Sequence, residues 1–156
     1  MIQIAIPGHD DWRLEHLVLD YNGTLAVDGQ LIDGVAERLT TLAGQVQIHV
    51  LTADTFGQVK SVMADIPCRV FVLPPGQQAE GKLAYVQQLG AERSVCIGNG
   101  RNDRLMLTAA ALGIAVIQAE GAAIQTVIAA DVVIPDIRAA LDLLTNPLRL
   151  VATLRS

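Results

Sequence analysis

The stretch that most constrains this chain is His16-Leu17-Val18-Leu19-Asp20-Tyr21-Asn22-Gly23-Thr24-Leu25. Leu17, Val18 and Leu19 are apolar without alternation, which predicts a strand buried on both faces, as in a parallel sheet. The apolar run stops at Asp20, so a carboxylate is delivered to the carboxyl end of that strand. Gly23 then permits a sharp reversal that a Cβ would resist. Open α/β sheets bind ligands in the crevice outside these strand ends, so Asp20 is a candidate functional group. Taken alone, an Asp before a glycine turn is also an ordinary turn cap.

The remaining chain alternates strand and helix signals. Met1 to Pro7 alternates weakly and predicts a short edge strand turned by Pro7-Gly8. Asp28-Gly29 inside Ala26 to Leu31 is a hairpin signal, read as a small flap beside Asp20. Helical spacing of Val35, Leu39 and Leu42 ends at Gly44. A strand over Val46 to Leu51 runs into Thr52. Further helices are predicted over Thr55 to Met63, Gln78 to Leu89, Asp103 to about Leu112, Ala122 to Ala129, Ile137 to Leu144, and for a turn or two after Pro147. Strands are predicted over Cys68 to Leu73, Ser94 to Ile97, Ile114 to Ile117 and Val132 to Ile134. This alternation predicts an α/β fold with a mainly parallel sheet. At 156 residues the expectation is one domain spanning residues 1–156, with no repeat or linker.

Composition narrows the partners. The net charge of −5 and scattered Lys and Arg argue against nucleic acid. No apolar run reaches the roughly 18 residues of a membrane span, so no membrane is expected. Charged residues make up only 17% of a chain whose mean hydropathy is +0.40. That poverty of charge raises the hypothesis of a homo-oligomer. Cys68 and Cys96 sit in apolar runs without metal-ligand spacing and read as small buried residues. No leader-like segment opens the sequence, so a reduced, cytoplasmic compartment is the expectation.

Three more candidates fall at strand ends or helix starts. Thr52 could donate its hydroxyl to a phosphoryl oxygen, with the amides of the next turn beside it; it or Asp54 could equally be a helix N-cap. Lys82, after Gly81, places a cation where the helix dipole mildly disfavours one. It reads either as a point charge for Asp20 and a phosphate or as a solvated surface residue. Gly98-Asn99-Gly100-Arg101-Asn102-Asp103 follows a strand, but Asp103 occupies the third glycine position of a dinucleotide fingerprint. An acid there suits a hard cation such as Mg²⁺. His9, His16 and His49 have no ligand spacing and read as ordinary surface or strand residues.

In order, these parts resemble the motifs of the haloacid-dehalogenase (HAD) superfamily. Asp20-Tyr21-Asn22-Gly23-Thr24-Leu25 is similar to its first motif, Thr52 to the second, Lys82 to the third, and Gly98 to Asp103 to the fourth. The fourth motif and Ala129-Ala130-Asp131-Val132-Val133 most resemble the phosphorylation domain of P-type ATPases. The likeness spans about residues 14–144. It implies a three-layer Rossmann-like fold and a Mg²⁺-dependent phosphatase of a phosphorylated substrate. In that chemistry Asp20 is the nucleophile, and Asp20, the Asn22 carbonyl, Asn99 and Asp103 hold the metal. Lys82, Thr52 and the loop residues Gly23, Thr24 and Ala53 bind phosphoryl oxygens. The intervals before and after Thr52 are too short for a cap domain.

Two positions depart from the pattern. Asn22 stands where phosphatases of the family have an Asp that protonates the leaving group and deprotonates water. General acid–base catalysis is typically worth ~10²–10⁴-fold, so slow turnover is expected, with Asn22 orienting but exchanging no proton. Asn99 replaces a second acid and lowers the charge offered to a cation. A hydrolase is therefore weighed against a binding or regulatory module that keeps the pocket. A purely structural module would make the four motifs coincidental. Transport by this chain alone is excluded by the lack of a membrane span and of a separate nucleotide-binding domain.

Overall fold

The computed structural model describes residues 1–54 and 57–156. Its main sheet is built from β3 (His16–Asp20), β6 (Gln47–Thr52), β7 (Arg69–Val72), β8 (Ser94–Gly98), β9 (Leu112–Val116) and β10 (Val132–Ile134). Their order across the sheet is β10-β9-β8-β3-β6-β7, and each neighbouring pair is parallel. All five residues of β3 are buried, as the unbroken apolar run requires of a strand covered on both faces. The chain builds outward from β3 to β6 and β7, then returns to the other side of β3 with β8. The order therefore reverses beside Asp20, and such a switch point opens a crevice at the strand ends.

Helices cover both faces, giving three layers. Leu17 and Leu19 face one core with Val35, Leu39 and Leu42 of α1 (Val35–Leu42), Val59 of α2 (Gln58–Val62) and Leu141 of α6 (Ile137–Thr145). Leu150 of α7 (Leu148–Leu154) joins them. Val18 faces the other core, with Val86 of α3 (Gln78–Leu89), Met106 and Leu107 of α4 (Arg104–Ala109), and Val127 of α5 (Ile124–Ala129). Alternation along β3 puts His16, Val18 and Asp20 on this second face.

Expected elements hold with shifts at their ends. The flap is the hairpin of β4 (Ala26–Val27) and β5 (Gln30–Leu31). Asp28 and Gly29 turn it with φ of 51° and 78°, both left-handed as a type I′ turn demands. The N-terminal strand β1 (Ile2–Ile4) is not an edge of the main sheet; it pairs antiparallel with β2 (Trp12–Leu14), which the sequence did not announce. The helix expected to reach Leu112 stops at Ala109, and Leu112-Gly113 belong to β9. Gly113 lets α4 lie close, since a Cβ there would sit 2.5 Å from Leu107 O. Thr52 lies inside β6 rather than after it. The helix expected from Thr55 begins at Gln58 among the described residues, and its first two positions, Thr55 and Phe56, lie outside them. Cys96 is buried, whereas Cys68 is only half-buried. Among the described residues no helix is long and apolar enough to cross a membrane.

One polar chain crosses the second core. His16 Nδ1 lies 3.2 Å from His49 Nε2, and His49 Nδ1 lies 2.9 Å from Tyr85 Oη. It joins β3, β6 and α3, the elements that carry Asp20, Thr52 and Lys82. His16 and His49 are thus buried strand residues with partners.

Candidate active site

Asp20 is held by contacts on both oxygens. Its Oδ1 accepts from Lys82 Nζ at 2.6 Å, and its Oδ2 accepts from Thr24 Oγ1 at 3.1 Å. Thr24 is aimed by a tight turn in which Thr24 N, Leu25 N and Ala26 N all donate to Tyr21 O, at 3.2, 2.9 and 3.0 Å. Gly23 serves this turn twice. Its φ is +79°, and a Cβ would fall 2.2 Å from Asn99 Nδ2. The amides of Gly23 and Thr24 are donated to chain carbonyls, Gly23 N to Ala26 O at 2.8 Å.

Lys82 is 1% exposed, which removes the solvated-surface reading. From the first turns of α3 its Nζ reaches Asp20 Oδ1 and Asp103 Oδ1, each at 2.6 Å. Burial alone would favour the neutral amine, but the two carboxylates outweigh it and raise its pKa. Asp103 is wholly buried. Its Oδ2 accepts the amides of Asn99 at 3.0 Å and Gly100 at 2.8 Å. Burial, then the nearby Asp20, push Asp103 up to about 7 against the pull of Lys82 and these hydrogen bonds. Gly98 makes the packing feasible, because a Cβ would lie 2.5 Å from the Asp103 carboxyl.

Asn99, at the end of β8, turns its amide oxygen towards the same hydroxyl. Asn99 Oδ1 accepts from Thr24 Oγ1 at 3.2 Å, while Nδ2 donates to Gly121 O at 3.0 Å and fixes the amide's orientation. Thr52 is buried, and its Oγ1 accepts from Asp54 N at 3.1 Å, while Asp54 Oδ2 accepts from Val59 N at 2.9 Å. Neither residue is the helix N-cap weighed for this pair: α2 has Gly57 at that position, although Asp54 does accept an amide of its first turn. Asp20 pairs in register with Leu51, so Thr52 stands one residue further along the neighbouring strand. Asn22 is exposed and, with Tyr21, Gly29, Ala53, Asp54 and Gln58, lines a cavity of about 260 Å³.

The sequence reading missed Gln118, in the loop after β9. Its Nε2 donates to Gly23 O at 3.1 Å and Thr24 O at 2.9 Å, and its Oε1 accepts from Ile137 N at 2.9 Å. No local pattern in Gln118-Ala119-Glu120-Gly121 signals this.

A divalent cation can be tested against these donors. Among the described residues no three His, Cys, Asp or Glu side chains cluster as a metal site. What converges is one carboxylate oxygen of Asp20 and the amide oxygen of Asn99, both on the single Thr24 hydroxyl. That hydroxyl carries one hydrogen and cannot fully satisfy both. Two hard oxygens short of a donor fit a cation of the Mg²⁺ kind, which takes oxygen ligands and keeps several waters. Both Asp103 oxygens already accept hydrogen bonds.

No family model matches the sequence. The uncharacterized protein MJ0073 of Methanocaldococcus jannaschii is 45% identical over 84 residues, covering 51% of this chain and 90% of that protein. A second uncharacterized protein of that organism, MJ0072, is 51% identical over 39 residues, covering 25% of this chain and 89% of its own length. Among solved structures, the cobalt-bound deoxy-D-mannose-octulosonate 8-phosphate phosphatase of Haemophilus influenzae superposes with a TM-score of 0.73 at 18% identity, over 92% of this chain and 94% of that one. The Moraxella catarrhalis 3-deoxy-D-manno-octulosonate 8-phosphate phosphatase, solved with magnesium, phosphate and a KDO molecule, gives 0.66 at 17% identity, over 91% and 94%. A zinc-transporting PIB-type ATPase gives 0.64 at 21% identity, over 80% of this chain and 20% of that one. At such identities the likeness is one of fold. The chain belongs to one family with the Methanocaldococcus protein and carries the HAD superfamily fold, in a capless form that resembles the phosphorylation domain of P-type ATPases.

Proposed function

We propose that this chain is a Mg²⁺-dependent phosphoryl hydrolase that works through an aspartyl-phosphate on Asp20. The observation that carries the reading is the buried Lys82 bridge between Asp20 and Asp103. Leaving water is costly for all three groups, and a strand-end carboxylate needs no such arrangement merely to cap a turn. With Lys82 charged, the three groups sum to −1 when Asp103 is ionised and to zero when it is protonated, so in neither state do they offset a phosphate dianion, which needs added positive charge. A Mg²⁺ ion held by Asp20, Asn99 and the Asn22 carbonyl would supply it by neutralising phosphoryl oxygens.

The chain's own residues then do the following. Lys82 holds the Asp20 carboxylate in place and offers positive charge to the incoming phosphoryl group. One Asp20 oxygen attacks phosphorus, and the bond from phosphorus to the leaving oxygen breaks. Asn22 has no proton to give, so the leaving group takes its proton from solvent. Water next attacks phosphorus, the bond to Asp20 breaks, and inorganic phosphate departs. Positioning and electrostatics supply most of the acceleration, as in other phosphoryl transfers. Asp103 acts in this reading by anchoring Lys82 and the Asn99-Gly100 amides. Thr52 donates its hydroxyl to a phosphoryl oxygen.

A second reading, a phosphate- and metal-binding module without turnover, is favoured by Asn22, Asn99 and the internally donated amides of Gly23 and Thr24. Hydrolysis of p-nitrophenyl phosphate with and without Mg²⁺ separates the two. The enzyme reading expects metal-dependent turnover that Asp20→Asn abolishes and Asn22→Asp raises. Absence of turnover in every folded variant would leave the binding module standing.

A further inference from the structure

Three segments distant in sequence meet at one side chain. Gln118 donates through a single nitrogen to both carbonyls of the turn that follows Asp20, Gly23 O and Thr24 O. Its oxygen is fixed by the amide of Ile137, the first residue of α6. The loop that carries Gln118 also holds the opposite wall of the crevice. Gly121 O accepts the side-chain amide of Asn99, and Ala123 N donates to Asn99 O at 2.9 Å. One short loop therefore grips both donors of the oxygen pair, the Thr24 turn from one side and Asn99 from the other.

We infer that Gln118 is a positioning residue, which holds the Asp20–Thr24 turn at the separation from Asn99 that a divalent cation and a phosphoryl group require. It touches no reacting atom. Its effect is exerted through the Thr24 hydroxyl, which lies 3.1 Å from Asp20 Oδ2 and 3.2 Å from Asn99 Oδ1. At Gly23 the turn runs so close to Asn99 that an added Cβ would lie 2.2 Å from its Nδ2, so a shift towards Asn99 is blocked. Slackening the carbonyl grip moves Thr24 and the Asp20 oxygen out of register with Asn99. Outer contacts of this kind are typically worth 10–100-fold in metal affinity or activity.

The catalytic part of this inference rests on the phosphoryl-hydrolase reading, whereas the clamp itself does not. Two substitutions separate positioning from mere anchoring of α6. Gln118→Met removes every hydrogen bond at nearly constant volume. Gln118→Glu keeps the oxygen that accepts Ile137 N but sets a carboxylate against the two turn carbonyls. If Gln118 only anchors α6, the Glu variant behaves as wild type and only the Met variant is impaired.

Positioning expects both variants to show raised Mg²⁺ half-saturation and lowered kcat, by about 10–100-fold together, with KM for p-nitrophenyl phosphate little changed. Both are also expected to show faster amide exchange at Leu25 and Ala26, whose N–H groups close the turn on Tyr21 O. A Gln118→Glu protein that matches wild type in metal dependence, kcat and exchange overturns the inference. A wild type that neither binds Mg²⁺ nor turns over the ester sinks the enzymatic reading instead, and the exchange comparison then decides the clamp alone.

Discussion

Lowering the pH should unfold this protein through His49 rather than through its surface. His49 is wholly buried between His16 and Tyr85. Burial first, then the charges of His16 and Arg69, lower its pKa to about 4 from an ordinary 6.5. His16 is lowered too, by burial and Arg93, with Glu15 opposing. The unfolded chain therefore binds a proton on His49 that the folded chain refuses between pH 6.5 and about 4. The stability this group contributes is complete above pH 6.5 and is lost as pH drops through that window. One pKa unit corresponds to about 1.4 kcal/mol, so linkage gives a loss of about 2 kcal/mol between pH 7.5 and pH 5 from this group. Against a total of about 5–15 kcal/mol for a domain, urea unfolding followed by circular dichroism resolves it. His49→Gln keeps one donor and one acceptor but cannot titrate in this range. The variant should start less stable at pH 7.5 yet lose about 2 kcal/mol less than wild type on acidification. Equal slopes in the two proteins would refute the claim that a neutral buried imidazole sets the acid limit.

Lys82→Met leaves the carboxylates of Asp20 and Asp103 without their shared cation, and breaking such a buried pair costs about 3–5 kcal/mol; chemical denaturation at pH 7.5 in chelator measures it, and a loss under about 1 kcal/mol would contradict the placement. Gly23→Ala combines a left-handed backbone with a Cβ 2.2 Å from Asn99 Nδ2. It is expected to cost about 1–3 kcal/mol of stability and to depress turnover further than that loss explains, as read from kcat at a temperature where the variant stays folded. Chelation with EDTA should abolish hydrolysis and leave the urea midpoint nearly unchanged, because Lys82 holds the carboxylates without metal; a collapse of the fold on chelation would mean that the cation is structural.

Local sequence carried much of the fold because several elements are decided locally. Gln78–Leu89 and Val132–Ile134 form with the bounds their patterns predict, and Asp28-Gly29 turns the flap. Boundaries failed where packing overrode local preference. The helix before Leu112 ends early because β9 needs Leu112 and Gly113 as strand residues under α4. Trp12–Leu14 is too short to announce itself and exists only by pairing with Ile2–Ile4. In the site, Asp20, Lys82 and Asp103 were legible as residue types at strand and helix ends. Burial alone distinguishes Lys82 from a surface lysine, and burial is a property of the assembled sheet. Gln118 was invisible for a related reason, since the two turn carbonyls it binds lie 94 and 95 positions away and meet it only once β9 and β3 share a sheet.

The position of β3 between β6 and β8 also sets when the site can exist during synthesis. β6 can pair with β3, and β7 with β6, early, but β8 arrives later on the far side of β3. Until then, one edge of an unbroken apolar strand stands open, and such edges invite pairing with other chains. Asp20 is made first, while Lys82 and Asp103 come later in the chain, with α3 and the turn after β8. Ribosome-bound intermediates should therefore be the species most prone to aggregate, and they should carry no phosphoryl chemistry until β8 and the turn that follows it have docked.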